Sequence, residues 1–318
     1  MRILITGAAG FVGSHLLAAL TQVCENIQIF ATSKTLVHHT AYGTIEALDV
    51  LDGAAVDRAI QRYAPTHILH LAGVAAPSAA NAEPRLAWDT HLGSALNLGE
   101  AILAHAPECW LLHIGSGLVY GDSAKSGKPL DEDAVLAPSD EYGASKAAAD
   151  LALGAMAQRG LKCIRLRPFN HSGPGQSDAF VIPGFAMQIA RIEADLVPPL
   201  LKVGNLDAER DFLDVRDVAE AYALATRQAT SLQTGTILNI ASGTPRRIGA
   251  ILESLLARSR VKINVVHDPA RMRPSDIPRM IGNADRARQV LAWSPRHPFD
   301  DMLQNVLDDC RARLVIKS

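Results

Sequence analysis

The chain has 318 residues, 48% of them hydrophobic, and a formal net charge of −2. That length buries a large core, as one extended α/β unit or as a large domain with a smaller one. Near-neutral charge without a long like-charged block argues against nucleic acid as a partner.

The first segment, "MRILITGAAGFVGSHLL", holds one arginine and a short apolar run, but Gly7, Gly10 and Gly13 interrupt any signal-peptide core. No run of about 18 apolar residues able to span a membrane occurs. The expectation is a soluble cytoplasmic protein without membrane partners. Cys24, Cys109, Cys163 and Cys310 are far apart and form no Cys-x-x-Cys. A structural zinc or a disulfide framework is therefore not expected.

"RILIT" (2–6) reads as a strand, followed by a helix from about Phe11. Between them Gly7, Gly10 and Gly13 form a G-x-x-G-x-x-G spacing. Glycine lets the backbone turn tightly and approach a pyrophosphate, and the helix N-terminus supplies N–H donors. Phe11 and Val12 open that helix and join the predicted cofactor site. The Gly-Lys-Ser/Thr of a P-loop is absent. A second strand, "IQIFA" (27–31), leads into "FATSKT". An NAD site usually places Asp or Glu here for the ribose 2′-OH. This chain offers Thr32, Ser33 and Lys34, which suit a 2′-phosphate, so NADP(H) is expected over NAD(H). The competing reading is a solvated loop with the acid elsewhere. Asp49 and Val50 of "LDVLD" are placed to flank the adenine. "HILHLAG" (67–73) is a further strand whose end, Leu71, Ala72 and Gly73, falls near the ribose and nicotinamide. His67 and His70 on it read as packed histidines.

Helical patterns follow at 85–106 and 141–160, and "WLLHIGS" (110–116) and "KCIRLRP" (162–168) read as strands. Alternating strands and helices with buried strands predict a doubly wound, Rossmann-like parallel sheet. Residues 1–168 are expected to form the cofactor domain, with parts of 205–245 returning to it. Residues 169–318 are expected to form mainly a substrate-binding region.

"EYGASK" places Tyr142 and Lys146 four apart, on one helix face. A phenol is a poor acid–base at neutrality, and a nearby ammonium and a cationic nicotinamide lower its pKa. Such a pair also occurs by chance on exposed helices. "GSGLVYG" (115–121) adds Ser116, able to donate to a carbonyl oxygen as it becomes an alkoxide.

Together, the glycine trio, Ser116, Tyr142 and Lys146 resemble the extended short-chain dehydrogenase/reductases that act on nucleotide sugars. The resemblance spans essentially the whole chain and implies that Ser116, Tyr142 and Lys146 are the catalytic residues. It also implies a homodimer. One departure is Thr90, which stands where the family usually has Asn. Dehydratases of the family usually carry two acids just after the serine, whereas this chain has Gly117 and Leu118. Its C4 epimerases typically use an acid after the second strand, which is also missing. Both absences favour a net reductase.

Three later segments, 167–193, 204–222 and 268–278, resemble the GDP-4-keto-6-deoxy-D-mannose reductase branch. The resemblance implies reduction of the C4 ketone to GDP-D-rhamnose or GDP-6-deoxy-D-talose. It places Pro168 beside the nicotinamide and Asn170 at the sugar or phosphate. Arg210 and Arg273 would clamp the diphosphate, and Lys202 and Asn205 would line the same cleft. Guanidinium forks suit phosphate oxygens. Surface salt bridges to Glu209, Asp211 and Asp276 are the alternative for the two arginines. Arg167 reads as structural, and Asp214, Arg216 and Asp217 read as bracing a helix from about Val215. An epimerase or dehydratase, predicting tightly held NAD, and a non-catalytic NADP-binding regulator remain competing readings.

Overall fold

The computed structural model describes residues 1–271 and 277–315. The first half runs β1 (Arg2–Thr6), α1 (Phe11–Val23), β2 (Gln28–Ser33), β3 (Val37–Thr40), β4 (Gly43–Ala47), α2 (Gly53–Tyr63) and β5 (His67–His70). Short helices α3 (Pro77–Ala82) and α4 (Pro84–Trp88) follow, then a π-helical turn at Asp89–Gly93 and α5 (Ser94–His105). β6 (Trp110–Ile114), a 3-10 stretch over Gly117–Ser126, α6 (Glu141–Gln158) and β7 (Cys163–Pro168) come next. The second half holds β8 (Asn170–Ser172), α7 (Val181–Glu193), β9 (Leu200–Val203), β10 (Glu209–Asp214), α8 (Val215–Gln228) and β11 (Thr236–Ile240). It ends with β12 (Pro245–Arg247), α9 (Ile248–Leu256), β13 (Asn264–His267), β14 (Arg279–Met280), α10 (Asp285–Leu291) and α11 (Phe299–Val315).

The main sheet has the order β11-β7-β6-β5-β1-β2-β4-β3. Its pairs are parallel except β3–β4 at the edge. The chain moves outward from β1 and then returns to β5 on the other side of β1. This reversal opens a crevice at the carboxyl ends of β1 and β5, where open α/β sheets hold ligands. Side chains alternate across the strands, so each strand feeds two cores. Ile3, Ile5, Leu112 and Ile164 join Leu16 of α1 and Tyr222 of α8 on one face. Leu4, Ile68 and Leu111 join Val56 of α2, Leu98 of α5 and Leu153 of α6 on the other.

A separate apolar cluster unites α7, α9 and α11 through Ile182, Phe185, Ile251, Leu252, Met302 and Val306. It underlies β10, which pairs with β8, β12 and β14. From the same half of the chain, β11 pairs with β7 and α8 lies against α1. Two sequence expectations shift. The second strand runs on through Ser33, because Thr32 and Ser33 pair with Glu46 and Ala47 of β4. The predicted helix over 85–106 contains the π turn.

One buried ion cluster ties α6 to the sheet. Asp150 of α6 is fully buried and accepts from Arg167 Nε and Nη2, each at 2.9 Å, and from Arg165 Nη1 at 2.9 Å. Arg167 is thus structural, and its Nη1 also donates to the Tyr120 hydroxyl at 2.9 Å. Removing one partner of a buried pair strands the other charge. Asp150→Ala is therefore expected to lower the unfolding free energy by about 3–5 kcal/mol in urea titrations. A loss under about 1 kcal/mol would mean that the cluster behaves like a surface pair.

Candidate active site

A cleft of about 1290 Å³ opens where the carboxyl edge of the main sheet meets α7, β9 and β10. Gly7, Gly10, Phe11, Val12 and Gly13 form one end of its lining. Gly7 has φ +73°, and a Cβ there would lie 2.7 Å from the Ala72 nitrogen. A Cβ on Gly13 would lie 2.3 Å from the Ala8 carbonyl oxygen. Both glycines let α1 start tight against the sheet edge. Gly10 caps α1 without a side-chain hydrogen bond, so the first-turn N–H groups remain available to an anion. This cradle fits the pyrophosphate of a dinucleotide.

Lys34, Asp49, Val50, Leu71, Ala72, Gly73 and Pro168 line the same cleft. Lys34 Nζ lies 3.9 Å from Asp49 Oδ2, and both side chains are exposed. Thr32 and Ser33 are not brought into the cleft. Thr32 is buried and its hydroxyl donates to the Ile5 carbonyl at 2.9 Å. The Ser33 hydroxyl turns to the Thr35 carbonyl at 2.5 Å. Of the three residues expected to favour a 2′-phosphate, only Lys34 faces the ligand space.

Ser116 ends the β6 loop, and its oxygen accepts from the Leu118 N–H at 3.1 Å. Tyr142 sits in the first turn of α6, which is capped by Asp140 accepting from the Gly143 N–H at 2.7 Å. Ser116, Tyr142 and Lys146 all line the cleft and are nearly buried. Burial pushes the Tyr142 phenol up to about 12, with nearby Ser116 opposing the shift and Asp140 reinforcing it. In the protein alone burial thus outweighs the neighbours of the phenol; the lowering expected from the sequence also draws on a cationic nicotinamide. Lys146 donates to the Ile114 carbonyl at 2.9 Å, and burial pulls its ammonium down to about 8.

Asn170, Lys202, Asn205 and Arg210 line the other end. Arg210 donates to the carbonyls of Glu209 at 2.8 Å and Ile277 at 3.0 Å. The salt bridges considered for it are not formed: Glu209 pairs with Arg279 at 3.0 Å, and Asp211 accepts from Ser242, Gly243 and Gly282. Among the described residues Arg210 has no carboxylate partner, and desolvation disfavours its charge. Arg273 lies outside the described residues. Sequence reasoning missed Arg271, which also lines the cleft. It missed His171 too, whose ring stacks on Phe11 at 6.1 Å and joins the start of α1 to β8. Both fall inside segments that carry the resemblance, 167–193 and 268–278, but no spacing there marks either as a cleft residue.

A dinucleotide cradle and a serine–tyrosine–lysine cluster sharing one cleft define a nucleotide-cofactor enzyme of the short-chain dehydrogenase/reductase type. The chain belongs to the NAD dependent epimerase/dehydratase family, which it matches over residues 3–241. It is 33% identical over 317 residues to GDP-6-deoxy-D-mannose reductase of Pseudomonas aeruginosa, covering 98% of each chain. It is 26% identical to GDP-6-deoxy-D-talose 4-dehydrogenase of Aggregatibacter actinomycetemcomitans, covering 96% of this chain and 98% of that one. Its fold superposes with TM-score 0.85 on the structure of RMD from Pseudomonas aeruginosa complexed with NADPH, at 30% identity, covering 98% of this chain and 100% of the other.

The shifts at the two buried groups set a pH dependence. Lys146 is cationic below about 8 and neutral above it, while Tyr142 keeps its proton up to about 12. Activity that needs the ammonium is present at neutral pH and lost as pH rises through about 8. A profile of kcat/KM should show that basic limb, and Lys146→Arg, which stays charged, should remove it while lowering the rate. A profile flat through that region would separate Lys146 from turnover.

Proposed function

We propose that the protein is a soluble cytoplasmic enzyme that uses NADPH to reduce the C4 ketone of GDP-4-keto-6-deoxy-D-mannose. The product is GDP-D-rhamnose or its C4 epimer, GDP-6-deoxy-D-talose. The observation that carries the reading is the nearly buried Tyr142 phenol, one helical turn from Lys146 and lining with it and Ser116 the cleft that begins at the α1 cradle. The names of the relatives supply the substrate class.

When bound, the dinucleotide supplies hydride to the ketone carbon. Ser116 donates a hydrogen bond to the ketone oxygen and stabilises the charge that develops there. Tyr142 passes its proton to that oxygen, completing the alcohol, and the phenolate regains a proton from solvent. The Lys146 cation favours the transient phenolate and holds the ribose hydroxyls. With Gly117 and Leu118 beside Ser116, no carboxylate stands there to take a proton from the sugar ring, so the chemistry stops at reduction. Arg210 binds the diphosphate with Lys202, and Asn170 and Asn205 supply neutral polar contacts. Arg273 belongs to the same reading. Lys34 favours the 2′-phosphate and hence NADP over NAD. A homodimer through α5 and α6, whose Leu96 and Leu151 are exposed, completes it.

Enzyme mixed with the keto sugar nucleotide and NADPH should consume the cofactor, with the product stereochemistry read by NMR. No oxidation with authentic substrate would overturn the reading. Interconversion of a UDP-sugar without added cofactor would favour an epimerase. Tyr142→Phe should lose about 10²–10⁴-fold in kcat while still binding cofactor. Arg210→Met should raise KM for the sugar nucleotide about 10–100-fold, the effect of losing charged hydrogen bonds. Lys34→Ala should raise KM for NADPH and leave KM for NADH nearly unchanged. Equal effects on both would remove Lys34 from phosphate recognition.

A further inference from the structure

We propose that His91 is a positioning residue that ties the Tyr142–Lys146 helix to the loop leaving β5 and so sets where the two catalytic groups stand in the cleft. The proposal rests on the serine–tyrosine–lysine reading above and adds a residue to it.

His91 lies in the π turn between α4 and α5 and is almost fully buried. The widened turn shifts the helical register, as single π turns do at functional sites. Its Nδ1 is 2.8 Å from the Ser145 hydroxyl, and its Nε2 is 3.0 Å from the Val74 carbonyl. Ser145 stands directly before Lys146 on α6, and its hydroxyl also meets the Glu141 and Tyr142 carbonyls. Val74 follows Gly73 in the cleft wall. The imidazole meets the Tyr142 ring edge-on, with centroids 5.4 Å apart and planes at 85°. A Cβ on Gly73 would lie 3.4 Å from both His91 Nε2 and Lys146 Nζ. The imidazole and the ammonium therefore flank the same glycine. One side chain thus touches the helix that carries the catalytic pair, the ring of one member and the wall beside the other.

The hydrogen bonds fix the tautomer. A carbonyl only accepts, so Nε2 carries the proton toward Val74, and Nδ1 accepts from Ser145. Burial, and then the Lys146 charge, hold the imidazole down to about 3, so this pattern persists at neutral pH. The other titratable groups nearby are Tyr142, His70 of β5 and His113 of β6, and both histidines are also held neutral by burial. The preceding residue, Thr90, spends its hydroxyl on the Leu86 carbonyl of its own helix at 2.6 Å. Of these two polar neighbours, only His91 reaches the catalytic helix. A histidine that merely fills the core would make the same contacts but would affect stability alone.

The test compares His91→Leu, His91→Gln and Ser145→Ala in the intact enzyme. Misplacement by about 1 Å costs on the order of 10²-fold in rate. His91→Leu should therefore lower kcat at least about tenfold, leave KM for NADPH within about twofold, and move the basic limb of the pH profile. His91→Gln, whose amide can still donate to Val74, should recover most of kcat, and Ser145→Ala should show a smaller loss in the same direction. Wild-type kcat and limb in a folded His91→Leu overturn the proposal. If that variant does not fold, unchanged kcat and limb in both other variants overturn it. Imidazole ¹⁵N spectra of the wild-type protein test the geometry without any substrate. They should show a neutral Nε2–H ring throughout the neutral range. A titrating ring or the opposite tautomer defeats the brace, whereas absent ketone reduction with the expected ring defeats only the assigned reaction.

Discussion

The carboxylate of Asp150 is the point on which the site depends. It lies on α6, two turns beyond Tyr142 and one beyond Lys146, with no exposed surface. Both of its oxygens accept from guanidinium groups of β7. A charge taken out of water is costly unless its lone pairs are met, and here donors from two arginines meet them. The result is a helix that cannot slide along the sheet without breaking several charged hydrogen bonds together. Arg167 extends the lock to the Tyr120 hydroxyl, which donates to Asn239 of β11 at 2.7 Å. Tyr120 belongs to the 3-10 stretch that follows Ser116. The loop that holds the serine and the helix that holds the tyrosine and lysine are thus fixed through one buried polar group.

The parts of the site that were legible in the sequence are those set by local geometry. Three glycines between a strand and a helix, and a tyrosine four residues before a lysine, state their own spacing. The unreadable parts depend on partners distant in the chain. Thr32 and Ser33 look like loop hydroxyls until β4 pairs beside them, which extends the strand and turns both inward. Glu209 and Asp211 flank Arg210 in sequence and make a surface salt bridge the alternative reading, but side chains alternate across a strand, so both acids face away from it. Their partners, Arg279 and the Ser242–Gly243 turn, lie far along the chain. His91 sits in a segment that reads as one regular helix, and only the π turn shifts its register toward α6.

Burial then assigns the proton chemistry. It raises an acid that is neutral when protonated and lowers a base that is charged when protonated. Tyr142 is therefore kept protonated, and Lys146 is kept close to the pH at which it changes charge. His70, His91 and His113 stand around Lys146 as neutral rings, so the ammonium is the cation of that cluster. His113 has no hydrogen-bond partner for either ring nitrogen among the described residues, which makes charging it costlier still.

The opposite end of the cleft follows the inverse rule. A guanidinium cannot shed its proton, so desolvation of Arg210 leaves it charged and in want of an anion. Its hydrogen bonds go to main-chain carbonyls, which orient the group without cancelling its charge. An arginine held in this way has already paid the entropy of ordering before any phosphate arrives. The end with the neutral, buried phenol and the end with the fixed guanidinium lie in a single cleft, which suits a sugar linked to a diphosphate. The main sheet supplies the first end and β10 the second. The relative placement of the two ends therefore depends on the pairing of β10 with β8, the strand that follows β7 directly.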